Sequence, residues 1–283
     1  MDGRLYTHPT LARQRFSRIV QEDDARLDLM EASLVIALEE YPSVDVAQYL
    51  AQVDRWCESV RQRVEGANDL ERLLSEINRL LFLEEGFCGE EPAHFDPRLT
   101  FLNHVLDLHA GVPIALSIVY IEISRRLGLS ASGVSLPGRF LVKVKGPWGE
   151  LLVDPYDGGS VLTTAECQRI LDQVYGGGVQ LREHHLRSCS NKDVLARVLS
   201  QLKSGFLARH DLHRAAASAD RLLLLDEDDP FELRDRGIMA IQLHQYRDGI
   251  ATLERYIRNN PHGEDVGRLR EEIAWLRAWI DSN

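Results

Sequence analysis

Long hydrophobic runs are missing from this sequence. The most apolar stretch, Ile114–Ile121, ends at Glu122. That is well short of the ~20 residues a bilayer demands, so no membrane span is expected. The first residues, MDGRLYTHPT, lack the basic-then-apolar order of a secretory signal. Cysteine is scarce: Cys57, Cys88, Cys167 and Cys189 lie far apart, with no CxxC pair. Neither a zinc site nor a disulfide framework is supported. The expectation is a cytoplasmic protein with free thiols and no metal or cofactor. A basic excess is also missing. The chain carries 33 Lys/Arg against 44 Asp/Glu, a net charge of −11. From residue 181 onward the balance is 16 against 17, so the deficit sits in the first 180 residues, at 17 against 27. Such a chain is poorly suited to nucleic acid, whose affinity rests on neutralised phosphates.

What is present is mostly helical patterning. Residues 1–22 read as a flexible leader. Leu27, Met30, Leu34 and Leu38 recur at helical spacing over Asp23–Glu40, and Tyr41-Pro42 ends that helix. Further helices are expected over Val44–Val64 and Leu70–Leu83, the latter capped by Asn68 or Asp69. Gly86–Pro97 is a loop rich in breakers. A short helix follows over Phe101–Leu108. Pro113–Leu127 is apolar nearly all round, so it should be buried on most sides, with Gly128 as its stop. Phe140–Val144 and Glu150–Val153 read as strands about a turn that holds Trp148, at a tip either exposed or folded back. Thr163 or Thr164 caps a helix to Val174, and Gly176-Gly177-Gly178 reads as a hinge closing a domain over residues 23–178.

The last third, residues 190–283, repeats itself. Offset by 34 residues, Leu199 meets Leu233, His210 meets His244, Ala215 meets Gly249 and Arg221 meets Arg255. Two helices per 34-residue unit is tetratricopeptide spacing. The units fall at about 194–227 and 228–261, and a helix over 264–281 caps the exposed flank. Trp275 and Trp279, four apart, share one face of that helix and are expected to pack on the second repeat.

The segment from Phe101 to Gly159 carries the functional signal. It has the layout of a thiol-enzyme core, with a Gly-led buried helix, a strand, and a second strand ending in Asp. A thiolate nucleophile is well placed at a helix N-terminus, where the dipole lowers its pKa, and it needs a histidine base held by a third group. Here the helix opens with Val112, Pro113, Ile114 and Ala115, none of which can attack a carbonyl.

FLNHVL at 101–106, GVPIALSIVYIE at 111–122, RRLGL at 125–129, GVSLPGRFLVKV at 133–144 and LLVDPYDGG at 151–159 together make the chain resemble the SirB family. That family joins a transglutaminase-like domain to C-terminal tetratricopeptide repeats, and the resemblance spans roughly residues 25–270. It implies an α+β fold: a papain-like core with a helical N-terminal segment, then an α-helical repeat tail. In the wider transglutaminase-like superfamily, Cys opens the central helix, His lies on the next strand and Asp on the one after. The resemblance puts these positions on Pro113, Arg139 and Asp154. SirB relatives commonly read LPGHF where this chain reads Leu136-Pro137-Gly138-Arg139-Phe140, so the base position departs even from that family. A guanidinium stays protonated and cannot act as base. Arg139 and Asp154 are expected either to pair across strands or to leave Arg139 free for an anionic ligand.

Other candidates are weighed on their own chemistry. Ser117 lies one turn into the helix and is either a relocated nucleophile or, as mid-helix serines often are, bonded to the carbonyl four residues back. Cys88 could be exposed between its flanking glycines, but Glu84, Glu85, Glu90 and Glu91 would raise its pKa. His94, His104 and His109 lack metal spacing, and His184-His185 reads as a solvated pair. Asp157 beside Asp154 is a turn-former or a metal ligand. Asn103 fixes backbone or contacts a polar ligand. Asn103, Ser117, Gly138, Arg139, Asp154 and Asp157 thus mark the groove of a protein- or peptide-binding scaffold that has lost catalysis. The alternative is a hydrolase or acyltransferase using Cys88 or Ser117.

Overall fold

In the computed structural model, residues 11–64, 69–90, 94–146 and 149–282 are described. Trp148, Glu91 and Asn68 lie outside them. The chain divides into two compact units, residues 1–198 and 199–283.

The first unit begins with α1 (Leu11–Val20), where a leader was expected. Ala12, Phe16 and Val20 recur every fourth residue and are buried, so the segment has an apolar stripe to pack, and it packs on α2 (Leu29–Glu40). Helix α2 starts later than Asp23 because Asp28 caps it, accepting from the Glu31 N–H at 2.8 Å. Helices α3 (Val46–Arg63) and α4 (Leu70–Asn78) follow, α4 capped by Asp69. A π-helical turn over Arg79–Glu84 extends α4. The expected loop contains a two-residue strand, β1 (Cys88–Gly89). Beyond α5 (Leu102–Leu108), β1 pairs in parallel with β2 (Ala110–Gly111).

Helix α6 (Pro113–Arg126) is the centre of this unit. Every residue from Ile114 to Ser124 is buried, as its all-round apolar pattern requires. It packs against β3 (Ser130–Leu136) and β4 (Arg139–Gly146). With β5 (Gly149–Asp154) and β6 (Ser160–Leu162) these form an antiparallel sheet in the order β3-β4-β5-β6. Helix α7 (Thr164–Tyr175) opens with a Thr163–Glu166 capping box and stops at Gly176, whose φ is 62°.

The triple glycine is therefore a helix stop, and the expected boundary at 176–178 moves. Residues after it stay bound to the first unit: the Cys189 N–H donates to the Gly133 carbonyl at 2.8 Å, and Asn191 donates to Asp24 and to the carbonyl of Leu27. The division falls inside α8 (Asn191–Ala208).

In the second unit α9 (Leu212–Leu225), α10 (Pro230–Gln242), α11 (Tyr246–Asn259) and α12 (Val266–Asp281) follow. His210 and His244, matched at the 34-residue offset, both adopt left-handed backbone at φ 59° and 61°. Gly249 lets α11 close on α10, since a Cβ there would lie 2.7 Å from Ile241 Cγ1 and 3.0 Å from the Gly237 carbonyl. Trp279 packs edge-on against Tyr246, as expected, but Trp275 is 64% exposed.

Candidate functional site

Three chain segments converge where α6 begins. Pro113 takes the first helical position, where a missing N–H costs nothing, and the Val112 N–H donates to the Leu99 carbonyl at 3.0 Å. The β1–β2 pair sets Gly89 against Gly111, two residues before Pro113. The third segment is the turn after β5. Asp154 caps it, its Oδ1 accepting from the Tyr156 N–H at 3.0 Å. The Tyr156 ring then lies flat against Gly89, so close that a Cβ there would sit 2.5 Å from the ring. Glycine is required by that contact rather than by backbone conformation.

Arg139 opens β4. Its guanidinium carbon stands 4.4 Å above the Tyr156 ring centroid, a cation–π contact. Its Nε lies 3.5 Å from Asp154 Oδ2, and the Asp154 side chain is only 3% exposed. The cross-strand ion pair anticipated from the sequence therefore exists, although at this distance Nε makes no hydrogen bond. Burial pushes the Asp154 carboxyl above its ordinary range; the Arg139 charge pulls the other way without cancelling that. Gly138 places Arg139. With Pro137 before it and φ at 82°, it forms a tight turn, and Val174 of α7 closes over it.

Ser117 is fully buried and bonded, but not to the carbonyl four residues back. Its Oγ donates to the Phe140 carbonyl at 3.0 Å, tying α6 to β4. Asp157 is exposed and accepts from Ser160 Oγ at 2.9 Å, a turn-forming bond. Asn103 is 4% exposed in α5, with its Oδ1 lacking a hydrogen-bond partner. Cys88 is exposed on β1, adjacent to the Gly89–Tyr156 contact.

The Cys88 N–H donates to the His109 carbonyl at 2.9 Å, and among the described residues no histidine ring is hydrogen-bonded to its thiol. His109 stacks on Phe87 at 4.6 Å and contacts the Glu85 carbonyl through Nδ1; His104 stands edge-on to Tyr41. His94 is exposed, and His184 lies against His185 at 4.0 Å. Among the described residues no cluster of three His, Cys, Asp or Glu could hold a metal ion.

Two participants escaped the sequence reading. Tyr156 was seen only as part of DPYDGG, yet it joins Arg139 to Gly89. The second is a relay in which the Tyr120 hydroxyl donates to Asn78 Oδ1 at 2.9 Å and Asn78 Nδ2 donates to the Gly159 carbonyl at 2.9 Å. It anchors the glycine turn after Asp154. Nothing in the sequence joins positions so far apart, and Asn78 is one of several polar residues in α4.

A family model described as the transglutaminase-like superfamily matches residues 47–200. A UPF0162 protein of Xylella fastidiosa strain 9a5c is 35% identical over 257 residues, covering 90% of this chain and 92% of that one. The chain belongs to the transglutaminase-like superfamily and to the UPF0162 family. Another UPF0162 relative, from Vibrio cholerae, is 26% identical over 91% of this chain and 96% of its own length. A tetratricopeptide repeat model matches residues 202–274, after the transglutaminase-like region. Among solved structures, a crystal structure of menin matches 92% of this chain and 73% of that one at 11% identity and a TM-score of 0.42, a likeness too slight to carry an argument.

Proposed function

We propose that this UPF0162 chain, which we read as a SirB-type protein, is a non-catalytic scaffold that binds a protein or peptide. One observation carries the reading. The resemblance puts the superfamily's nucleophile and base positions on Pro113 and Arg139, and the Arg139 guanidinium is engaged by Asp154 and Tyr156. Loss of nucleophile and base removes a factor of about a million in rate. A fixed cation beside a buried carboxylate makes structural sense without any reaction. Tetratricopeptide repeats commonly engage proteins, which supports a protein or peptide partner. Among the described residues no helix is long and apolar enough to cross a membrane. With four free thiols, the cytoplasm is the compartment we propose.

A second reading keeps an enzyme with Cys88 as nucleophile. It draws on the exposure of Cys88 and on its neighbour Gly89 lying against Tyr156. A screen of amide and ester substrates separates the two, with Cys88→Ala and Ser117→Ala as controls. The scaffold reading expects no turnover above blank. Turnover abolished by either substitution overturns it.

A further inference from the structure

Helices α11 and α12 enclose a cleft of about 350 Å³ inside the repeat unit. Its floor is apolar, formed by Ile257 and Ile273 with Ala274 beside them. Its rim is basic. Arg258 comes from the last turn of α11, and Arg270 and Arg277 come from α12. Arg277 pairs with Glu254 at 2.7 Å. Arg258 and Arg270 are exposed and make no ion pair among the described residues.

Helix stability explains only part of this arrangement. Arg258 sits at a helix C-terminus, where the dipole favours a cation. Arg270 lies in the N-terminal half of α12, where the dipole offers a cation nothing. Positions 270, 273, 274 and 277 fall on one helix face, so guanidiniums and floor look into the same space. Three guanidiniums thus face one carboxylate around the cleft. Guanidinium forks recognise carboxylates in bidentate fashion, and an apolar floor between them selects an aliphatic side chain. A polyanion such as nucleic acid would meet the same arginines but has no use for that apolar floor.

We propose that the α11–α12 cleft docks an acidic peptide segment, with carboxylates on Arg258 and Arg270 and an aliphatic side chain on Ile257 and Ile273. This rests on the scaffold reading and adds where the partner sits and what chemistry it carries.

Fluorescence anisotropy with the full chain tests it, using a labelled peptide in which one leucine lies between glutamates. Saturable binding is expected, weakening at least about tenfold in the Arg258→Glu/Arg270→Glu variant and falling as salt is added. Both arginines are exposed, so the variant should keep the helical circular dichroism of the parent, with a small fall in melting temperature from the lost cation at the α11 C-terminus; Arg258→Gln/Arg270→Gln serves as a milder version. A peptide with lysines for glutamates should not bind. The cleft is overturned by an absence of saturable binding, by equal binding to the charge-reversed variant, or by equal binding of the lysine peptide or a single-stranded oligonucleotide. Those results leave the scaffold reading in place, whereas turnover of amides or esters overturns that reading and leaves the cleft to be judged on binding alone.

Discussion

Arg139 stabilises the first unit by answering the charge of Asp154. Removing one member of a buried pair leaves the other uncompensated, a cost of about 3–5 kcal/mol when both are fully buried. Arg139 keeps 23% exposure and stands 3.5 Å from the carboxylate, so Arg139→Ala should cost less, about 2 kcal/mol in urea unfolding at neutral pH. The loss should shrink as pH falls through the carboxylate range, because a protonated Asp154 needs no counter-charge. Glu122 offers a second test. It is buried in α6 beside Arg125 and Arg126, and burial pushes its carboxyl from 4.5 to about 6. Between those values the unfolded chain gives up its proton while the folded chain keeps it. Raising the pH from 4.5 to 7 should therefore cost about 2 kcal/mol through this group. Glu122→Gln should remove that slope, so the stability difference between variant and parent should shift by this amount across the window. A parallel pair of pH profiles would refute the assignment.

At the scale of elements, glycine positions separate packing from propensity. A Cβ at Gly249 would press on Ile241 and on the Gly237 carbonyl, so Gly249→Ala should destabilise the repeat unit by about 1–3 kcal/mol. At Gly267, in α12, a Cβ meets nothing within 4 Å, and Gly267→Ala should raise stability by about 0.5–1 kcal/mol. Thermal melts of the two variants should move in opposite directions. The 34-residue period makes the first of these sites legible, because Gly249 aligns with Ala215 at that offset in the sequence. Long apolar helices such as α6 were equally legible. The short elements were not. Strand β3, with its small and polar SASGVSL, has no alternating signal; β1 and β2 are two residues each and are fixed by one another across α5, and β6 is too short to carry a pattern. Helix α1 was missed because its buried stripe is only three residues wide. The Arg139–Asp154 pair was one of two readings open at positions that the family resemblance marked; Tyr156 and the Asn78 relay depend on tertiary contacts that no local pattern encodes.

The molecule as a whole joins a transglutaminase-like unit to a repeat unit with a basic-rimmed cleft. If the first unit is inert because both nucleophile and base are gone, restoring the base alone should change nothing. If a thiol or hydroxyl elsewhere can attack, an imidazole at the base position should wake it. The decisive measurement is amide and ester turnover by Arg139→His beside the parent chain. On the proposed reading neither protein should exceed the uncatalysed rate, because the position that the resemblance assigns to the nucleophile is Pro113 and Ser117 is bonded to the Phe140 carbonyl. Turnover that appears with Arg139→His and vanishes when Cys88→Ala is added would contradict the account.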